Sequence, residues 1–328
     1  MPTSQNELAR ASSHTLKDIS VQDLEDGRLR VNRAWLSRLH DAGLDRFEAL
    51  QSLAGGKVIR DVPGRTTVQL ELNSSDYAAP LFYLKRYDPV YLRGWRYFKR
   101  AVHWPGAGDE ALREWQMIFR LRQRGFATAE PIAVGRGSTT DPITPSCLLT
   151  REISGGVPAH EYFRHHLRHA TFDRKRRWLA ELGRFARRFQ EARFIHKDFY
   201  LVHFFVVEDG EDWQFHLIDL QRARGPHWHL PRWYFKDAAG LTFSARHHAG
   251  CSRTELLHLY NAYAGIRKLR HKDKRLINKL WCRAARIARH RPKYGFVTPC
   301  YNPIPARRIR PEAQFPSAEV APDEATQS

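Results

Sequence analysis

The sequence is short of acidic residues. Across 328 residues, 35 Asp and Glu stand against 54 Lys and Arg, a formal net charge of +19. Such an excess predicts a partner carrying negative charge: nucleotide phosphates, nucleic acid or an anionic membrane surface. Long hydrophobic runs are missing as well. No stretch approaches the ~18–20 apolar residues of a membrane-spanning helix. Met1 to Asp18 is polar and lacks the apolar segment of a secretory signal. Cysteine is sparse. Cys147, Cys251, Cys282 and Cys300 form neither a CxxC pair nor a metal-ligand spacing, which predicts free thiols in a reduced compartment. There is no G-x-G-x-x-G, no repeat of fixed period and no G-x-x-x-x-G-K-[ST], since Gly56-Lys57 is followed by Val58. His160-Glu161-Tyr162-Phe163-Arg164-His165 approaches a zinc-protease motif, but its second histidine is one place late. A five-residue step turns it roughly 140° from the first around a helix. Apolar residues, in contrast, are plentiful. At 42% hydrophobic and 12% aromatic, the chain can bury the core of one large domain or two lobes, which excludes a disordered polybasic chain.

Periodicity divides the chain in two. Residues 1–20 read as a polar, poorly ordered arm, and 301–328, rich in Pro and Ala before turning acidic, as a disordered tail. Between them, 21–152 reads as a β-rich lobe and 153–300 as a mostly helical one. Thr66 to Leu72 alternates, with Val68, Leu70 and Leu72 on one face, and so predicts a half-buried strand. Lys57 to Arg60 is its hairpin partner across a Pro63-Gly64 turn. Leu81 to Tyr87 is a third strand. Asp109 as N-cap and Gly125 as terminator bracket a helix, and short strands follow near Pro131–Val134 and Cys147–Glu152. The first half is therefore β-β-β-α-β-β. In the second half Trp178, Leu182, Phe185 and Phe189 make a helical core stripe over 174–192. A polar loop at His196–Asp198, a hairpin over 204–218 and further helices complete it, the last of them the very basic 267–289.

The acids carry the chemistry. Asp198 precedes the first hairpin strand and Asp219 ends the second. In an antiparallel hairpin those two points lie side by side, so the carboxylates meet at one end. Asp219 follows Leu217-Ile218 at the mouth of a buried strand, where an unused acid is costly. Paired carboxylates in that position suit Mg²⁺ binding and proton handling in phosphoryl transfer.

The order of parts resembles the two-lobed protein-kinase-like fold, an α+β class with a small antiparallel β-sheet lobe bearing one helix and a mostly helical second lobe. His196-Lys197-Asp198 matches an H-R-D catalytic loop, and Ile218-Asp219-Leu220-Gln221 stands where D-F-G would. Three blocks are more specific: Ile195 to Phe204, Leu217 to Ala223, and Pro231 to Asp237 with Leu241-Thr242-Phe243-Ser244. Together with Leu84-Lys85-Arg86-Tyr87 and Arg113-Glu114-Trp115, they resemble the lipopolysaccharide kinase family, whose members phosphorylate heptose or Kdo sugars of the lipid A–core region. The resemblance covers roughly 57–265.

It implies an ATP-dependent phosphotransferase with an alcohol acceptor. Lys85 would hold the α/β-phosphates of ATP, fixed by Glu114. Asp219 would ligate Mg²⁺, and Asp198 would accept the proton of the sugar hydroxyl. Backbone groups near Thr150-Arg151-Glu152 would meet adenine. Asp237 would anchor the catalytic loop from a helix start. Two departures stand out. His203 occupies the place of the catalytic-loop Asn as a second metal ligand, although Mg²⁺ prefers oxygen. Only Gly64 lies between Lys57 and Leu72, so Arg60 or Arg65 is left to supply charge where a glycine-rich loop is lacking.

Taken singly, several of these residues have blander readings. Lys85 alone would be a solvated strand lysine and Glu114 a surface acid; His196 reads as a structural hydrogen-bonder, and Arg222 as either a loop support or a substrate contact. His165, His166, His169, His247 and His248 with Cys251 read as surface features. The basic helix, and the aromatics Tyr91, Trp95, Tyr97, Phe98 and Trp104 interleaved with Arg93, Arg96, Lys99 and Arg100, are a solvated face, a membrane-surface patch or, less favoured, a nucleic-acid surface. The resemblance implies a lipid-linked saccharide acceptor at an anionic membrane, hence a cytoplasmic protein peripheral to the inner membrane. The alternatives are a small-molecule kinase of the aminoglycoside-phosphotransferase type and a catalytically inactive membrane- or nucleic-acid-binding adaptor.

Overall fold

The computed structural model describes residues 19–71, 80–89, 94, 98, 109–226 and 230–289. The terminal arms expected at 1–20 and 301–328 lie outside it, save Ile19 and Ser20, as do Tyr91, Trp95, Tyr97, Trp104 and their interleaved arginines and lysine.

The first lobe is built on a seven-stranded sheet, two strands more than the alternation in the sequence announces. In chain order its elements are β1 (Val21–Leu24), β2 (Leu29–Asn32), α1 (Leu36–Asp41), α2 (Phe47–Ser52), β3 (Lys57–Val62), β4 (Arg65–Glu71), β5 (Leu81–Tyr87) and α3 (Glu110–Gln123). After β6 (Ala127–Thr128) come β7 (Pro131–Arg136) and β8 (Ser146–Arg151). The large sheet runs β1-β2-β7-β8-β5-β4-β3, antiparallel throughout. Both of its faces are covered. Val68, Leu70, Phe82 and Leu84 pack with Trp35, Leu39, Phe47 and Leu50 from the α1–α2 segment in one apolar cluster. On the other face lies α3, whose N-cap Asp109 accepts from Ala111 N and Leu112 N. Gly125 closes the helix at φ +77°, a backbone conformation glycine adopts without a Cβ penalty.

The second lobe adds β9 (Val157–Pro158), α4 (Phe172–Glu191), the hairpin β10 (Phe204–Asp209) and β11 (Asp212–Leu217), then α5 (Pro231–His247), α6 (Arg253–Ala264) and α7 (His271–Arg289). A four-stranded sheet runs β6-β11-β10-β9. The expected stripe of α4 is buried at all four positions, Trp178, Leu182, Phe185 and Phe189. The main core takes in these residues together with Trp115, Ile118 and Leu121 of α3. Phe126 sits where the lobes join, its ring edge-on to Phe185, Phe189 and Phe194. Two expected surface features are interior. His248 and Cys251 are buried at the end of α5, where the chain turns back and Cys251 N donates to Ala245 O at 2.9 Å. Among the described residues no helix is long and apolar enough to cross a membrane.

Candidate active site

Strand register sets the upper wall of the cleft. Lys85 of β5 lies opposite Thr67 of β4, and Tyr87 opposite Arg65. Side chains two apart share a face, so Arg65, Thr67, Lys85 and Tyr87 all leave the sheet on the side that carries α3. Lys85 Nζ donates to Glu114 Oε1 at 2.5 Å, with the two side chains 13% and 3% exposed. The same oxygen accepts from Leu220 N at 3.3 Å, and Glu114 Oε2 accepts from Tyr87 Oη at 3.1 Å. One helix glutamate thus joins the sheet to the segment that follows Asp219.

The hairpin sets the lower wall. Phe204 pairs with Leu217, which brings the loop before β10 against the loop after β11. Asp219 has φ 57°, ψ 52°, a left-handed conformation for which Asp has more tolerance than most residues. Its Oδ1 accepts from Arg65 Nη2 at 3.1 Å and its Oδ2 lies 3.7 Å from His203 Nε2. Burial works against its charge, but Arg65, Lys85 and His203 outweigh it and hold the carboxyl far below the usual carboxylate range. Asp198 differs. Burial lifts its carboxyl above the ordinary value, and Asp219 adds to the rise; Arg222 and His203 oppose it. Arg222 Nη1 reaches both Asp198 oxygens, at 2.8 and 2.9 Å. Two neighbouring acids are driven apart in acidity, an arrangement typical of proton-handling sites.

The loop between them is held from beneath. Asp237, fully buried two turns into α5 rather than at its start, accepts from His196 N at 2.7 Å and Lys197 N at 2.9 Å. The positive φ of Lys197, 71°, helps turn consecutive amides towards one carboxylate. Ser244, a turn or two further along α5, accepts from Leu201 N at 2.9 Å through its hydroxyl. His196 is completely buried, and burial pushes its pKa down to about 3. It is therefore neutral, and Nε2–H donates to Ile218 O at 3.1 Å, which ties the loop to the residue before Asp219. His203 Nδ1–H donates to Asp198 O at 2.7 Å. That bond commits Nδ1–H and leaves Nε2 facing Asp219 Oδ2 at 3.7 Å.

Lys85, Glu114, Glu152, Asp198, His203 and Asp219 all line one cleft of about 710 Å³. Apolar Ile59, Ala129, Val202 and Leu217 line it together with the cations. The N–H of Glu152 is committed to Leu81 O at 2.8 Å and that of Arg151 to Glu130 O at 2.9 Å, so a backbone donor for an adenine edge has to come from Ile153 or beyond. Among the described residues no group of three or more His, Cys, Asp or Glu forms a metal cage. One carboxylate with a neighbouring imidazole instead fits a Mg²⁺ that takes its remaining ligands from phosphates and water. Arg65 entered the sequence reading only as one of two stand-ins; its place beside Asp219 depends on a β4–β5 register that single-strand periodicity does not reveal.

A family model described as "Lipopolysaccharide kinase (Kdo/WaaP) family" matches residues 56–263. Among curated proteins, the lipopolysaccharide core heptose(I) kinase WaaP of Pseudomonas aeruginosa is 27% identical over 263 residues, covering 77% of this chain and 94% of that protein. The protein of the same name from Escherichia coli K12 is 25% identical over 260 residues, covering 77% and 95%. Among solved structures, "WaaP in complex with acyl carrier protein" superposes with a TM-score of 0.59 at 25% identity, covering 82% of this chain and 99% of that one.

Proposed function

We propose, from the premise that this chain belongs to the lipopolysaccharide kinase (Kdo/WaaP) family, that it transfers the γ-phosphoryl group of ATP to a heptose hydroxyl of a lipid-linked core saccharide. The observation that carries this reading is the convergence of the Lys85–Glu114 pair, Asp198 and Asp219 on one cleft with partly apolar walls. Heptose is preferred to Kdo because the relatives described above are named heptose(I) kinases.

The geometry supports the following roles. Lys85, held in place by Glu114, would neutralise the α/β-phosphates. Asp219, the stronger acid, would face the cation, and a Mg²⁺ held there would offset charge on the transferred phosphoryl group. Asp198, the weaker acid, would orient the acceptor hydroxyl and take its proton as the bond to phosphorus forms. The transition state of such transfers is loose, so positioning and charge stabilisation are what the protein contributes. His203 would buttress both aspartates rather than act as a principal metal ligand, since Mg²⁺ favours oxygen. In this reading residues 21–152 hold the nucleotide and 153–300 the acceptor, and Ile153 with its neighbours would meet adenine.

A lipid-linked acceptor would hold the enzyme at the cytoplasmic face of the inner membrane. Exposed Lys272, Arg275, Lys279 and Arg286 on α7 suit an anionic leaflet. The solved relative's complex extends the proposal to an acyl carrier protein as a partner of this chain.

Labelled ATP and a heptose-bearing lipid A–core acceptor test the reading. Wild-type protein should label the acceptor. Asp198→Asn should lower turnover by about 10²–10⁴-fold with nucleotide still bound. Label appearing only on soluble sugars or aminoglycosides would move the protein to the small-molecule kinases. Turnover retained by Asp198→Asn would remove the assignment.

A further inference from the structure

In protein kinases a glycine-rich loop covers the phosphates of the bound nucleotide; the turn at the corresponding place in this chain, between β3 and β4, has little to offer. It consists of two residues, Pro63 and Gly64. Proline has no N–H, and the Gly64 carbonyl is occupied by Asp88 N at 3.0 Å. The backbone of the turn therefore supplies at most one donor, against a triphosphate with several negative charges. Two arginines line the cleft nearby instead, Arg60 of β3 and Arg65 of β4, and Arg65 is the one that reaches Asp219.

Arg65 is unusually placed for an arginine. Its side chain is 12% exposed, its guanidinium carbon lies 5.5 Å from the centroid of the Tyr87 ring, and Nη2 donates to Asp219 Oδ1 at 3.1 Å. Its Nε is buried with no partner among the described residues. Two positions along the same strand face, Thr67 Oγ1 is buried and equally without a partner. Both residues line the same cleft as Lys85. A guanidinium offers five donors in a planar fork that matches phosphate oxygens. One reaching Asp219 leaves others for an anion in the cleft.

We infer that Arg65 is the phosphate-binding residue that stands in for the glycine-rich loop, its fork bridging Asp219 and the phosphate oxygens of the nucleoside triphosphate. The inference rests on the nucleotide reading above and adds to it a residue and a mode of recognition. Two consequences distinguish it from a purely structural counter-ion to Asp219. The contribution of Arg65 must depend on the ligand's phosphates and must be absent for the nucleoside. A lysine in its place keeps the charge but loses the fork, so it should restore part of the affinity.

The test is calorimetric titration of the full chain with ATP and, separately, with adenosine, in the presence and absence of Mg²⁺, for wild type, Arg65→Met and Arg65→Lys. Arg65→Met should weaken ATP about 10–100-fold, the range of a lost charged hydrogen bond, and leave adenosine within about twofold. Arg65→Lys should fall between. In turnover, KM for ATP should rise more than kcat falls. If Arg65→Met does not fold, Arg65→Lys carries the test alone, with a selective loss for ATP expected. ATP affinity unchanged in the folded variants, or an equal loss for ATP and adenosine, overturns the inference and leaves Arg65 a structural residue. Wild-type protein that binds neither compound removes the nucleotide reading itself, and this inference with it.

Discussion

Asp237 touches no part of the cleft, yet both of its oxygens receive a backbone amide from the loop that carries Asp198. Asparagine is nearly isosteric but keeps only one acceptor, so its amide group would face a backbone donor. Asp237→Asn should therefore cost about 1–3 kcal/mol, read as a lower urea midpoint, and should lower kcat while nucleotide affinity stays close to wild type. An unchanged midpoint would show that the loop is anchored elsewhere. At this scale the sequence was informative wherever a residue sits at an element boundary. Asp198 and Asp219 flank a hairpin, and Lys85 lies on a strand bounded by clear loop signals. Arg222 has two open roles in the sequence, because the hold of its Nη1 on both Asp198 oxygens crosses from one loop to another. Periodicity describes elements, and it is silent about which loop side chains meet.

At the scale of elements, α4 and α6 pack closely enough to require a glycine. A Cβ built at Gly183 would lie 2.6 Å from Leu259 O and 2.9 Å from Tyr263 N, both backbone atoms that cannot swing away. Alanine raises helix propensity by up to about 1 kcal/mol, but forcing the helices apart costs about 1–3 kcal/mol. Gly183→Ala should therefore destabilise the protein in urea unfolding in spite of its better propensity; a stabilised variant would mean that the helices slide apart freely. Long elements were the legible ones. The stripe of α4, the caps of α3 and the 204–218 hairpin all follow from spacing and capping chemistry. Periodicity does not divide residues 21–52 into elements. β1 and β2 have four residues each and α1 and α2 six, too few for a period to stand out. The usable signal was Asp26-Gly27 between two short alternating runs, a recognisable hairpin turn. Without that segment the burial of Val68 and Leu70 on the sheet's outer face has no partner in the sequence reading.

The whole molecule carries an acid-sensitive interior. Burial lowers His196 to about 3 and His160, His216 and His248 to about 4. In the unfolded chain each would titrate near 6.5. Between those values the unfolded state binds protons that the folded state refuses, so stability is complete above about pH 6.5 and declines as the pH falls towards 4, by up to about 1.4 kcal/mol per pH unit for each histidine. Asp237, raised to about 7 by burial, has the opposite sign. It holds a proton that the unfolded chain releases near pH 4, and its contribution falls as pH rises through the same interval. Four histidines outweigh one aspartate, so the urea midpoint should be lower at pH 5 than at pH 7, and His248→Asn should flatten the slope. A midpoint independent of pH across that range would contradict the burial of these rings.

The aromatic junction at Phe126 has a further consequence. Its ring is wedged among three phenylalanines of the second lobe, while α3, directly before it, lies against the sheet of the first. Swinging the halves apart like jaws would pull this ring from its socket into water and forfeit roughly 2 kcal/mol for that side chain alone, before any other contact is broken. The two halves therefore turn about this ring only at a cost in exposed apolar surface, and reactants and products have to pass through the mouth of the cleft between joined lobes.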